Sequence, residues 1–143
     1  MATYYPPLGF HFLVAFANQK DEYQFQSVSG LSVNLETEEI AEGGENRFKH
    51  RLPVRAQYPN LVLKRGLVPH SALIDWCKAS VEEFKFAPTD IQIILLNAEN
   101  QPLQTWNVVH AYPVKWMVSD FDAEESKILV ETIELSYSYF KIL

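Results

Sequence analysis

The chain is 143 residues long, 48% apolar and 13% aromatic, which fits one domain able to bury a core without staples and excludes a disordered tail. Twelve basic against eighteen acidic side chains give a formal net charge of −6, the wrong overall sign for gripping a nucleic-acid backbone through its phosphates. Cys77 is the lone cysteine, so no intrachain disulfide can form and folding in a reducing cytoplasm is expected.

The first residues, Met1-Ala2-Thr3-Tyr4-Tyr5-Pro6-Pro7, lack the basic start and apolar run of a signal peptide. No apolar run is long enough to cross a bilayer. The expectation is a protein made in the cytoplasm without a cleaved leader and with no membrane insertion of its own. Five glycines and eight prolines are scattered, with no internal repeat and no low-complexity linker.

Phe10 to Ala17 is an apolar, β-branched and aromatic run of strand length, read as buried on both faces. A polar turn, Asn18 to Glu22, leads to Tyr23-Gln24-Phe25-Gln26, which alternates as a half-exposed strand does. Gly30 breaks or bulges the strand, and alternation resumes with Leu31, Val33 and Leu35. Glu38 to Pro59 then shows little core periodicity. A stretch of about twenty such residues is uncommon in a compact domain and is typical of a binding loop or arm.

Asn60 to Gly66 reads as a short strand. The spacing of Leu73, Trp76, Cys77, Val81 and Phe84 predicts an amphipathic helix over about 71–84 with those residues on its buried face. Ser71 is its N-cap, and Asp75 lies in the first turn. Ile91 to Leu96, Leu103 to Val109 and Val114 to Val118 are further strands, with a kink expected at Ala111-Tyr112-Pro113. Asp120 to Glu125 is an acidic turn. In the last strand Ile133, Leu135, Tyr137 and Tyr139 face one way. Many short strands and one helix predict a mainly β, α+β single domain over residues 1–143, a barrel or sandwich with a packed helix. Its sheet edges need protection or partners.

No arrangement for catalysis emerges. His11, His50, His70 and His110 are far apart and form no ligand spacing, so no metal and no cofactor is expected. Asp120-Phe121-Asp122-Ala123-Glu124-Glu125 lacks the glycine and twelfth-position acid of a calcium loop. Cys77 lies on the apolar helix face, the setting of an inert thiol. There is no Walker loop, G-x-S-x-G or G-x-G-x-x-G. Arg47, Lys49, Arg51 and Arg55, with Phe48 and Tyr58 nearby, can be read as a single-strand nucleic-acid platform. The more economical reading is an arm docking on acidic surfaces of sister chains, such as Glu36 to Glu45 and Asp120 to Glu125.

Several stretches taken together carry a resemblance. They are Phe25-x-x-Val28-Ser29-Gly30-Leu31, Asn60-Leu61-Val62-Leu63-Lys64-Arg65-Gly66-Leu67 and Leu73-x-x-Trp76. Further along stand Trp106-Asn107-Val108-x-x-Ala111-Tyr112-Pro113-Val114-Lys115, Ser119-Asp120-Phe121-Asp122-Ala123 and Ile133-Glu134-Leu135-Ser136. In order and spacing the chain resembles the T4-type tail tube protein family, the inner-tube subunits of contractile phage tails and phage-derived contractile injection systems. The resemblance implies a tail-tube-type β-barrel with a flanking helix, assembled into hexameric rings that stack into a hollow tube.

In that setting residues 38–59 are the arm that reaches neighbouring subunits. Arg47, Phe48, Lys49, Arg51 and Tyr58 are the expected inter-subunit contacts, and Glu38, Glu39, Glu42, Asp120 and Asp122 their counterparts. The partners implied are other copies of the chain, the sheath and baseplate or spike proteins of the same particle, and DNA or protein cargo in the lumen. The particle is a virion or a phage tail-like assembly, extracellular or cytoplasmic. The acidic total makes a negatively charged bore the expectation. The same fold also serves tube-initiating baseplate proteins, and the arm is basic for an ordinary tube subunit, so both roles stay open. A small-ligand-binding β-barrel, with the aromatic strands around a pocket, is the reading from outside the family; an enzyme is not expected.

Overall fold

The computed structural model describes residues 9–40, 50–68, 71–119 and 129–143. In chain order these form β1 (His11–Phe16), β2 (Glu22–Phe25), β3 (Ser27–Ser29), β4 (Asn34–Ile40), β5 (His50–Gln57) and β6 (Leu61–Gly66). The helix α1 (Ala72–Val81) follows, then β7 (Thr89–Leu96), β8 (Pro102–Val118), β9 (Val130–Ser136) and β10 (Tyr139–Ile142). Eight strands make one antiparallel sheet in the order β2-β1-β7-β8-β9-β6-β3, with β10 also on β8, while β4 and β5 form a separate two-stranded ribbon.

Alternation explains most of these strands. Phe12, Val14 and Phe16 of β1 point into the core, as do Tyr23 and Phe25 of β2, Leu61 and Leu63 of β6, Ile91 and Ile93 of β7, and Ile133 and Leu135 of β9. The other face of β1 is half-buried, so the strand is less enclosed than its apolar run predicts. The sheet wraps around this core without closing into a barrel. Its end strands, β2 and β3, are not paired with each other. They are consecutive in the chain, and between them the Gln26 amide donates to the Lys64 carbonyl at 2.9 Å. Covalent continuity, rather than a hydrogen-bond ladder, carries the sheet around.

The helix seals the core as expected at its start and differently at its end. Ser71 caps it, its hydroxyl accepting from the Ile74 amide at 3.3 Å. Leu73, Trp76, Cys77 and Ser80 are buried. The Trp76 ring meets Phe16 edge-on at 5.3 Å, and its Nε1 donates to the Ala87 carbonyl at 3.0 Å. Val81 and Phe84, placed on the same stripe by spacing, are instead 55% and 80% exposed. Val81 is the last helical residue, at the edge of the buried stripe, and for Phe84 the cause is the helix terminus. The Lys85 amide donates to the Ala79 carbonyl around Phe84, which sits at φ 55°, so the last turn unwinds before the stripe reaches it.

Two β features also depart from expectation. β8 runs unbroken for 17 residues, bending at His110 (φ 55°) and shifting register between Pro113 and Lys115. Proline is tolerated because pairing with β7 stops at Ala111, so the missing N–H falls where only β9 flanks the strand. The last strand splits at Tyr137-Ser138, and the Ser138 amide donates to the Val109 carbonyl. The break shifts the phase, so Phe140 is buried and Tyr139 is 39% exposed.

One polar group lies at the centre. Arg65 Nε donates to Glu131 Oε2 at 2.8 Å, with the two side chains 6% and 0% exposed. Arg65 Nη2 also donates to Ser71 Oγ at 3.0 Å, and Trp116 Nε1 donates to Glu131 Oε1 at 2.7 Å. The guanidinium lies 5.3 Å from the ring centroids of both Tyr23 and Phe25. Beside this pair, Cys77 is pushed up from 9.0 to about 12, first by burial and then by the charge of Glu131. The thiol is therefore protonated and inert.

Three outcomes are expected. Glu131→Ala leaves a buried guanidinium without its counter-charge and should cost about 3–5 kcal/mol in urea unfolding, whereas Phe84→Asn should stay within about 0.5 kcal/mol. In alkaline solution the folded state holds the Cys77 proton that the unfolded chain has lost. The thiol's contribution is full below pH 9.0 and drains away as pH rises toward about 12. Unfolding free energies measured across that range should fall less steeply in Cys77→Ala.

Candidate assembly interface

β4 and β5 pair with each other from Asn34↔Gln57 to Ile40↔His50, with a register shift after Glu36 that leaves Val54 as the extra residue. Among the described residues no third strand joins them. Arg55 pairs with Glu36, and Arg51 Nε lies 3.5 Å from Glu39 Oε1. Both pairs are exposed and contribute about 0–1 kcal/mol each. Between the charges the ribbon holds Leu35, Ile40, Leu52 and Val54 in water, with Leu35 64% exposed. An isolated hairpin is marginal in water, and this one carries apolar side chains that its own body does not cover.

The root of the ribbon is fixed firmly. Gly30 adopts φ +94°, and a Cβ there would lie 2.2 Å from the Asn60 carbonyl oxygen, so glycine alone permits this approach of the two chain segments. Tyr58 follows β5 directly and packs edge-on against Phe140 at 5.2 Å and Tyr137 at 5.9 Å. Burial, with a smaller push from Tyr58, raises Tyr137 to about 12.

The sequence-predicted contact residues fall into three groups. Glu38 and Glu39 stand on β4 and Arg51 on β5, and Glu39 and Arg51 meet within one arm. Tyr58 anchors the arm to its own body. Arg47, Phe48, Lys49, Glu42, Asp120 and Asp122 lie outside the described residues. Of the arm read from sequence as residues 38–59, residues 38–40 and 50–57 thus belong to a regular ribbon that begins at Asn34.

Other features of the structure were not read from sequence as parts of an interface. Tyr137 and Phe140 complete the root, and their aromatic character in the last strand was the available signal. Among the described residues β10 pairs with β8 on one side only, and its Lys141 is exposed. Phe84, Phe86 and Tyr112 form an aromatic chain, with centroids 4.9 and 5.6 Å apart. Among the described residues no group of His, Cys, Asp and Glu could hold a metal ion.

Comparison with known proteins bears on this architecture. Residues 8–141 match the family model for the T4-like virus tail tube protein gp19. A chain in the cryo-electron microscopy structure of the anti-feeding prophage baseplate, 6-fold symmetrised, is 32% identical with a TM-score of 0.83, over 100% of this chain and 97% of that one. A chain in the sheath–tube complex of the extracellular contractile injection system PVC, in its extended state, is 30% identical with a TM-score of 0.80, over 97% and 92%. Hcp1 from Flavobacterium johnsoniae shares the fold at 18% identity, with a TM-score of 0.60 over 92% and 94% of the two chains. No curated protein sequence matches. With its family match running almost from end to end, the chain belongs to the T4-like virus tail tube protein gp19 family.

Proposed function

We propose that this tail tube protein is the inner-tube subunit of a contractile tail-like particle, forming hexameric rings that stack into a hollow tube. The observation that carries the reading is the arm. The body satisfies its own core, while a two-stranded ribbon with uncovered leucine, isoleucine and valine side chains stands on a rigid root. Such a ribbon is built to be completed by another molecule. The similar chains come from a baseplate symmetrised 6-fold and from a sheath–tube complex, which favours sister copies, a sheath and a baseplate as the partners.

The work is mechanical. A sheath contracting around the tube drives it into a target, so each subunit must resist shear while leaving the bore open to DNA or protein cargo. A head-to-tail contact that closes on itself yields a ring, and ring-on-ring stacking yields an open-ended polymer. Arg47, Phe48, Lys49 and Arg51 make the inter-subunit contacts, Tyr58 sets the direction of the arm, and Glu38, Glu39, Glu42, Asp120 and Asp122 supply acidic counterparts. No catalytic step is needed. A ligand-binding barrel is disfavoured because Val14, Leu61, Leu63, Ile91, Ile93, Ile133 and Leu135 are wholly buried where a ligand would sit.

Deleting residues 43–55 should leave a folded monomer by circular dichroism and size-exclusion chromatography, since β4 and β5 pair only with each other among the described residues. Under the electron microscope the intact protein should give rings or stacked tubes, and the deletion neither. Tubes from the deletion variant would refute the arm's role. An intact protein that stays monomeric at high concentration would refute the whole proposal.

A further inference from the structure

We propose that β4 of one copy docks on the open edge of β10 of a neighbouring copy, bringing Glu38 opposite Lys141; this rests on the assembly reading above and names its contact. Among the described residues both strands lack a partner on one side: β4 pairs with β5 alone, and β10 pairs with β8 alone. An unpaired edge presents a row of free amide and carbonyl groups, which is the template for strand addition between chains.

Charge decides which edge receives which strand. β4 reads Asn-Leu-Glu-Thr-Glu-Glu-Ile. Glu36 and Glu39 are met by arginines of the arm, whereas no ion pair engages Glu38 among the described residues. β10 reads Tyr-Phe-Lys-Ile, and Lys141 likewise has no carboxylate partner among the described residues. Of the two end strands of the sheet, β2 carries Glu22 directly after Asp21 and would repel β4, and β3, Ser-Val-Ser, offers no charge to meet Glu38. Opposite charges facing one another across a strand pair are favourable and like charges are not.

Apolar exposure points the same way. Ile142 and Leu143, at the end of β10, are each 66% exposed, and β4 offers Leu35 and Ile40. The seven residues of β4 are more than enough to span the four of β10. Within one copy the two strands do not pair although the arm's root packs on Phe140. The rigid root holds the arm off its own edge, which directs it to another copy.

The test uses full-length protein. Glu38→Lys and Lys141→Glu, both at exposed positions, should each raise the concentration needed for rings at least tenfold while leaving the melting temperature unchanged. The double exchange should restore assembly. Independently, Glu38→Cys protein mixed with Lys141→Cys protein should give a disulfide-linked dimer on mild oxidation that neither variant gives alone. Wild-type rings that withstand both charge reversals, with no mixed dimer, would overturn the strand assignment and leave the ring reading standing. A wild-type protein that never forms rings would overturn both.

Discussion

The buried pair of Arg65 and Glu131 holds the fold in its particular arrangement. Taking two such charges from water costs several kcal/mol per ion, and their attraction repays this only where the remaining hydrogen-bonding capacity is also met. Here it is met from four directions. Glu131 on β9 receives Arg65 from β6 and Trp116 from β8, Arg65 reaches the hydroxyl that caps α1, and the rings of Tyr23 and Phe25 on β2 flank the guanidinium. An apolar pair of equal volume could fill the space, but it could not accept from an indole N–H or donate to a capping serine. The pair thus fixes where the helix begins relative to the sheet, and with it the burial of Leu73, Trp76 and Cys77.

The satisfaction of the body makes the arm conspicuous by contrast. Among the described residues no buried side-chain nitrogen or oxygen lacks a partner. Yet a few residues beyond Gly30 the chain leaves this core and runs as a ribbon with both faces in water. A flexible arm would be the ordinary way to reach a neighbour, at the cost of ordering it on contact. This arm instead leaves the body through a glycine pressed against the Asn60 carbonyl and returns through a tyrosine clamped by two aromatic rings. Its direction is set before any partner arrives, which lowers the entropy lost on docking.

How much of this was legible from sequence depends on whether a residue's partner is local. Alternation along β1, β2, β6, β7 and β9 marks the inward residues because each strand has one face on the core. The Ser71 cap is likewise a local signal. Arg65 and Glu131 were legible but unread: Arg65 keeps phase with Leu61 and Leu63, and Glu131 with Ile133 and Leu135, so each announces a buried charge. Phe84 was misread because periodicity does not say where a helix ends. Tyr139 was misread because the irregular break at Tyr137-Ser138 slips the alternation by one position, which turns every later side chain to the other face. The strand pairing of the arm was not read because a ribbon with no core face has no apolar stripe to betray it. The pairing of Glu39 with Arg51 depends on a register shift that only the folded hairpin reveals.

The division between a finished body and an unfinished arm has consequences for the proposed ring. Each copy would give one arm and receive one, so a linear chain of copies always carries one arm and one receiving edge without partners, and closure removes both at once. The individual contacts are modest: exposed ion pairs of about 0–1 kcal/mol and a few half-exposed apolar side chains. Closure multiplies them without further loss of translational freedom, because the last contact forms between groups already held near one another. A fixed arm angle sets how many copies close the circle, since a head-to-tail contact generates a ring only when its rotation divides a full turn. On this reasoning the tyrosine and phenylalanine rings at the root would govern the size of the proposed ring as much as the residues that meet the neighbour.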